Sequence, residues 1–111
     1  MNMTYEQIFE MVESVGLPCA YYQFEDGTGQ EPPFICFFYG DSVDLAADNQ
    51  NYQKIDTLYI ELYTDVKDFE KEAAVEEMLT ANGLTWNKEE TFIDSEQMHE
   101  TIYTTEVLIN A

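Results

Sequence analysis

Basic side chains are almost missing from this chain, which has no arginine and four lysines against 23 aspartate and glutamate residues. The formal net charge of −19 predicts no direct binding to nucleic acid, because binding a phosphate backbone depends on Lys and Arg displacing its counterions. The same charge opposes contact with anionic membranes. The longest apolar run, Phe34 to Tyr39, is also far shorter than the roughly 18 residues of a spanning helix. We therefore expect neither a nucleic-acid partner nor a membrane partner.

Cysteine and histidine are scarce as well, with Cys19, Cys36 and His99 as their only occurrences. Two cysteines inside apolar runs favour reduced, packed thiols over a disulfide, and the N-terminus lacks the basic and apolar parts of a secretory signal. Synthesis in an intracellular, reducing compartment follows from this interpretation. A disulfide between the two cysteines remains the less favoured alternative.

The same scarcity argues against catalysis and metal binding. A lone histidine without paired cysteines lacks the spacing of a zinc site, and no nucleophile can be assigned to it from the sequence. The acidic stretches from Asp26 to Gly29 and from Asp48 to Asn51 lack the alternating ligands and the terminal glutamate of an EF-hand. Acidic pairs such as Glu89 and Glu90 arise by chance among so many acids. We expect no catalytic residue, no metal site and no cofactor, and thus a protein that is not an enzyme.

Apolar and aromatic residues are what the chain does have, at 45% and 14% of its length. This content argues against disorder in spite of the charge, and 111 residues suffice for one core. The sequence therefore predicts a single domain over residues 1–111.

Periodicity predicts an α+β fold with the order α-β-β-β-α-β-β. Thr4 and Gln7 form a capping box ahead of apolar residues at helical spacing, and Gly83 ends a second helix. The expected sheet is mixed or antiparallel, with both helices packed on one face. The predicted elements are a helix from Tyr5 to Val15, a strand from Cys19 to Phe24, a long hairpin loop from Glu25 to Pro33, a strand from Phe34 to Tyr39, an irregular excursion from Gly40 to Gln50, a strand from Tyr52 to Thr64, a helix to about Asn82, and strands from Thr85 to Ile93 and from Met98 to Ile109 around a turn at Asp94 to Gln97.

Two helices cover only one face of such a sheet, and the other face is not uniformly polar. Leu58, Ile60 and Leu62 point to the core, so that Tyr59 and Tyr63 point away from it. An uncovered aromatic patch favours self-association, with the loops from Glu25 to Pro33 and from Asp41 to Tyr52 among the contacts. The residues predicted at an oligomer interface are Phe37, Tyr39, Tyr52, Tyr59 and Tyr63.

Several short runs give the chain a resemblance to a known family. They are the run from Gly16 to Phe24, Pro32-Pro33-Phe34, Ala47-Asp48, Asn51-Tyr52, the run from Tyr59 to Asp65, Lys67-Asp68-Phe69-Glu70, Glu90-Thr91 and the run from Ile93 to Glu96. Together they resemble small proteins of the head-to-tail connector region of long-tailed phages and prophages of Gram-positive bacteria, the tail terminator or tail-completion proteins. Lys71 departs from the pattern, because an apolar residue there would extend the stripe of the second helix.

The resemblance implies a non-enzymatic virion protein that forms a ring, caps the tail tube and joins it to the head. Its partners would be further copies of itself and the tail-tube and head-connector proteins. It would occupy the bacterial cytoplasm during assembly and the virion tail afterwards. An acidic lumen would repel the DNA that passes through. The alternative is an acidic DNA mimic that occupies a host DNA-binding protein, which the charge suits but the second apolar face does not.

Overall fold

The computed structural model describes the backbone of residues 2–24, 30–42, 45–47 and 50–110, and their side chains apart from those within 41–53. Within these ranges one sheet of seven strands carries two helices. Its strands follow the order β1-β7-β5-β3-β2, with β4 beside β5 and β6 beside β7. The elements are β1 (Asn2–Met3), α1 (Tyr5–Glu13), β2 (Cys19–Tyr21), β3 (Phe34–Ser42), β4 (Leu45–Ala47), β5 (Gln50–Thr64), α2 (Phe69–Ala81), β6 (Asn87–Ile93) and β7 (Met98–Ile109).

The predicted fold class and element order are wrong. The chain begins with strand β1 ahead of the first helix, and the fold is mostly sheet, curled into a half-barrel. Strand β1 has two residues, too few for a period of two to be visible in the sequence. It forms because Asn2 and Met3 pair in parallel with Leu108 and Ile109 at the other end of the chain. Strand β4 lies in the stretch that was predicted to be irregular.

The predicted hairpin between the second and third strands is also wrong, because β2 and β3 are parallel. Cys19 pairs with Ile35, and the Ile35 N–H donates to the Pro18 carbonyl at 2.9 Å. Strand β2 stops at Tyr21, since Tyr22 adopts a left-handed φ of 70°. Of the predicted loop from 25 to 33, residues 25–29 lie outside the described part of the chain. So do residues 43, 44, 48 and 49 of the predicted loop from 41 to 52.

Local capping explains where the helices begin. The Thr4 hydroxyl accepts the Gln7 N–H at 3.1 Å while the Gln7 side chain accepts the Thr4 N–H at 2.9 Å, so the predicted capping box is confirmed. Helix α2 begins after Asp68, whose carboxylate accepts the Lys71 N–H at 3.0 Å. Gly83 adopts a φ of 73° just beyond the end of α2, which is the left-handed position that favours glycine.

The core lies between the two helices and one face of the sheet. Leu58, Ile60 and Leu62 are each 0% exposed, which confirms the predicted core face of β5. The turn between β6 and β7 is confirmed as well, with these strands pairing in antiparallel register from Ile93 and Met98 outward. No helix in the described part of the chain has the length and apolar character to cross a membrane. The remaining core residues are Met3, Ile8, Met11, Val12, Ile35, Phe37, Val75, Met78, Leu79, Tyr103, Val107 and Ile109.

Candidate interaction surface

The sheet face opposite the helices, called the open face below, is a candidate surface for binding another molecule. Side chains alternate along each strand, so the residues next to the core positions point to this face. The cross-strand register aligns three of its rows across β3, β5 and β7. The rows are Phe34, Tyr63 and Glu100; Cys36, Glu61 and Ile102; and Phe38, Tyr59 and Thr104.

Stacked aromatic pairs form the first and third rows. The rings of Phe34 and Tyr63 lie 4.8 Å apart at 22°, and those of Phe38 and Tyr59 lie 4.9 Å apart at 12°. Such cross-strand pairs contribute to sheet stability beyond the area they bury. The ring of Phe24 packs edge-on against Phe34 at 5.4 Å. The open face therefore carries two aromatic platforms on either side of the row that contains Glu61.

Gly40 makes room for one of these platforms. A Cβ atom added at Gly40 would overlap the Tyr59 ring. The ring that stacks on Phe38 thus lies over bare backbone where β3 begins its shift in register after Tyr39. A larger residue at this position would move the Tyr59 ring off its platform.

Two carboxyl groups, one in the first row and one in the second, lie near each other on this face. Glu61 on β5 lies diagonally opposite Glu100 on β7, whose partner in the register is Tyr63. Burial, followed by the interaction with Glu100, raises the pKa of Glu61 to about 7. Glu100 is buried and Glu61 is half-buried. Neither residue was predicted as a site from the sequence, although Glu61 stands between two tyrosines of the alternating strand.

The two cysteines lie on opposite faces of the sheet. Cys36 belongs to the open face, whereas Cys19 pairs with Ile35 and packs against the core. Both are free thiols; Cys36 is buried and Cys19 is half-buried. Burial, and then the nearby Glu61 carboxylate, raise the pKa of the Cys36 thiol to about 11, which keeps it protonated and weakly reactive.

The structure separates the residues that were predicted to form one oligomer interface. Phe37 is only 1% exposed and belongs to the core, and Tyr39 lies on the same face against Tyr5 of α1. Tyr59 and Tyr63 lie on the open face, and the side chain of Tyr52 is outside the described part. The predicted set combines residues from both faces, because the register between strands does not follow from the sequence of each strand. An interface role for these residues stays a prediction.

A cluster of ionic side chains lies on the helix side of the sheet. Glu72 of α2 is 2% exposed, and its Oε1 atom accepts from Lys67 and Lys88 at 2.7 Å each. Lys88 also contacts Glu76 at 3.0 Å, and Lys67 contacts Glu90. The hydrogen bonds to Glu72 raise the pKa of both lysines, which therefore stay charged. This cluster joins the start of α2 to β6.

Glu72, Glu90 and His99 bring one potential metal-ligating atom each within 4.8 Å of the others. The Lys67 ammonium, however, is hydrogen-bonded to both carboxylates of this set, and Lys88 is bonded to one of them. A divalent cation would have to displace the Lys67 ammonium and would still be repelled by the nearby Lys88 ammonium. We therefore interpret the cluster as an ion-pair network.

Comparisons with known proteins relate the fold to one kind of particle. No family model matches the chain, and no curated protein matches it. A solved chain described as "Virion of native gene transfer agent (GTA) particle" matches with a TM-score of 0.62 over 94% of this chain and 89% of that chain. The two sequences are 14% identical. This chain therefore shares its fold with a component of a gene transfer agent virion.

Proposed function

We propose that this chain is a non-enzymatic structural protein of a phage-like particle, and that within the particle it is a tail terminator or tail-completion protein. The observation that carries the proposal is the shared fold with a chain of a gene transfer agent virion over 94% of the length. Fold alone does not establish a role. The family resemblance of the sequence provides the narrower assignment to the end of the tail tube.

The proposed ring is closed by contacts between unlike surfaces of neighbouring copies. An edge strand suits such a contact, because its free N–H and C=O groups can pair with another chain. Strand β2 ends the sheet order; Tyr21, its last residue, is 51% exposed and the next residue, Tyr22, is 64% exposed. We therefore assign the ring contact to the β2 edge and its tyrosines, and leave the open face for a different partner.

Charge controls when the ring forms. Each added copy brings a net charge of −19, so copies repel one another at low ionic strength and associate as salt screens the repulsion or when they dock on a tail tube. The same charge would keep the DNA that crosses the ring from adhering to it. Assembly in the host cytoplasm and final incorporation into the virion tail are part of the proposal.

Attachment to tail tubes tests the proposal. Tubes assembled from the tube protein of the same genome are mixed with the purified chain and imaged by electron microscopy, while light scattering after size exclusion follows the mass over a salt series. We expect closed rings at high salt and one ring at a tube end. Tyr21→Ser and Tyr22→Ser should weaken ring closure, whereas Val66→Ser, at a residue that is 71% exposed, should not. A strict monomer that never attaches to tubes would refute the role, and tight, salt-sensitive binding to a basic DNA-binding protein would then favour the DNA mimic.

A further inference from the structure

The sheet has an edge strand on each side whose outer edge pairs with no other strand in the described part of the chain. Strand β2 pairs only with β3, and strand β6 pairs only with β7. Six of the seven residues of β6 are exposed, so no other described element covers this strand. The outer N–H and C=O groups of such strands can pair with another chain.

The two edge strands run in opposite directions. Strand β2 is parallel to β3, and β3 is antiparallel to β5. Strand β7 is antiparallel to β5, and β6 is antiparallel to β7, so β6 runs in the direction of β5. Neighbouring copies in a ring of many members differ by a rotation well below a half-turn, so β2 of one copy would lie antiparallel to β6 of the next. Antiparallel pairing is slightly more stable per residue than parallel pairing.

The backbone of β2 offers two residues to another strand. The Pro18 carbonyl accepts an N–H of β3 at 2.9 Å, and the Tyr22 N–H donates to a carbonyl of β3 at 2.7 Å. Backbone groups alternate from side to side along a strand, so those of Cys19 and Tyr21 point away from β3. The Tyr21 carbonyl already accepts the Gln23 N–H at 2.9 Å. So short a strand supplies few hydrogen bonds, and side chains must contribute much of the affinity.

Exposed aromatic rings lie beside β2 on the helix side of the sheet. The Tyr21 ring packs edge-on against the core ring of Phe37 at 5.5 Å, with half of the tyrosine exposed. Phe9 of α1 packs on the same Phe37 ring at 5.6 Å and is also exposed. Phe9 and Tyr21 therefore form an apolar surface along this edge.

A second pair of exposed rings lies beside β6, again on the helix side. Phe92 is 50% exposed and stands two residues after Glu90, which binds Lys67 next to α2. Side chains two residues apart share a face, so Phe92 lies on the helix side. Phe69, the first residue of α2, is 74% exposed, and the Lys67 ammonium lies 4.9 Å from the centre of its ring. Lys67 thus contacts the surroundings of both rings.

We propose that β2 of one copy pairs antiparallel with β6 of the next, so that the sheets of neighbouring copies join into one sheet around the ring. This inference rests on the ring of the proposed function and names the surface that receives its β2 edge. Edge-to-edge pairing keeps the helices of both copies on the same side of the joined sheet. Phe9 and Tyr21 of one copy then face Phe69 and Phe92 of the next, and the contact removes four exposed rings from water.

Charge favours contact between the unlike edges. Helix α1 carries three exposed glutamates and no basic residue. Its Glu13 lies close enough to β2 for its charge to add to burial in raising the pKa of the Cys19 thiol. A contact between two β2 edges would bring the glutamates of two α1 helices together, whereas a contact with β6 brings them towards three of the four lysines. These lysines, on β6, on α2 or just before α2, are Lys67, Lys71 and Lys88.

Variants that are blocked at one edge test the pairing, because each keeps the other edge. Tyr21→Ser with Tyr22→Ser blocks β2, and Phe69→Ser with Phe92→Ser blocks β6. At a salt concentration where wild-type rings form, each blocked variant alone should be a monomer. An equimolar mixture should give a complex of two copies and nothing larger, and the two variants should bind each other at least tenfold more tightly than either binds itself. Light scattering after size exclusion measures the masses, and the control Val66→Ser should form rings as the wild type does.

Amide hydrogen exchange tests the backbone pairing separately from the side-chain contact. Alternate residues of β6 direct their N–H groups to β7, so the remaining amides of β6 exchange freely in the monomer. In the ring, those amides that face β2, and the amide of Tyr21, should exchange at least tenfold more slowly. Equal exchange of the β6 amides in monomer and ring would overturn the proposal.

Three further results would overturn it: rings formed by either blocked variant alone, a dimer formed by the variant blocked at β2 alone, or a mixture that stays monomeric where the wild type forms rings. If rings form only on tail tubes, the fraction of capped tube ends replaces the mass in this comparison. Rings and mixed dimers that never attach to tubes would refute only the tail role. Rings that cap tubes, with Phe69→Ser and Phe92→Ser having no effect, would refute only the edge pairing. A wild-type chain that associates neither in solution nor on tubes would refute both.

Discussion

Loss of the Glu61 carboxyl proton should make the protein less stable as the pH rises through neutrality. The folded state raises the pKa of Glu61 from an ordinary value of 4.5 to about 7, mainly through burial. The folded protein therefore holds this proton more tightly than the unfolded chain does. The resulting stabilisation is complete below pH 4.5 and is lost as the pH rises through about 7.

The size of the effect follows from the same pKa difference. Converted in full at about 1.4 kcal/mol per pH unit, the pKa difference of Glu61 sets an upper limit of about 3 kcal/mol on the loss of unfolding free energy. Glu61 is only half-buried, and solvent screening reduces the expected loss to about 1–2 kcal/mol between pH values of about 5 and 8. The pKa of Glu90 is lowered by its hydrogen bond to Lys67. The stability that this carboxylate contributes is therefore lost as the pH falls, at pH values below this range.

Urea unfolding at a series of pH values measures the slope. Trp86 is the sole tryptophan and lies 6.5 Å from the ring of Tyr103, so its fluorescence reports loss of the core. For Glu61→Gln the free energy of unfolding should not change with pH over this range. Glu89→Gln should keep the wild-type dependence on pH, and His99→Gln is the control for the histidine. A wild-type profile that is flat or rises with pH, or an unchanged slope in Glu61→Gln, would refute the raised pKa of Glu61.

Further predictions concern the helix side and the composition. Glu72→Gln should lower the free energy of unfolding by about 2–3 kcal/mol, because two lysines lose a buried partner; an unchanged urea midpoint would contradict this. Leu62→Ala should cost about 2–5 kcal/mol and Val66→Ala less than about 0.5 kcal/mol, since the first residue is 0% and the second 71% exposed; the same unfolding assay compares them. Thiol counting without reductant should find Cys19 and Cys36 reactive only after denaturation, and finding neither would indicate a disulfide. A mobility-shift assay at physiological salt should show no binding to duplex DNA, because the net charge is −19.

Local features were determined by the sequence itself. The capping box of α1 depends on two side chains three residues apart, and the core face of β5 depends on an alternation within one strand. The turn between β6 and β7 likewise involves neighbours along the chain. Such features appear in the sequence because the interacting groups are close in it.

Pairing between distant segments was decided only by the tertiary structure. Strand β1 exists through its contact with β7, more than a hundred residues away, and the parallel pairing of β2 with β3 contradicts the hairpin that their proximity indicated. Register then decided the candidate surface: it placed Phe37 in the core and brought Glu61 next to Glu100 across two strands. A shift of one residue moves every side chain of a strand to the other face, and no pattern within a single strand contains that information.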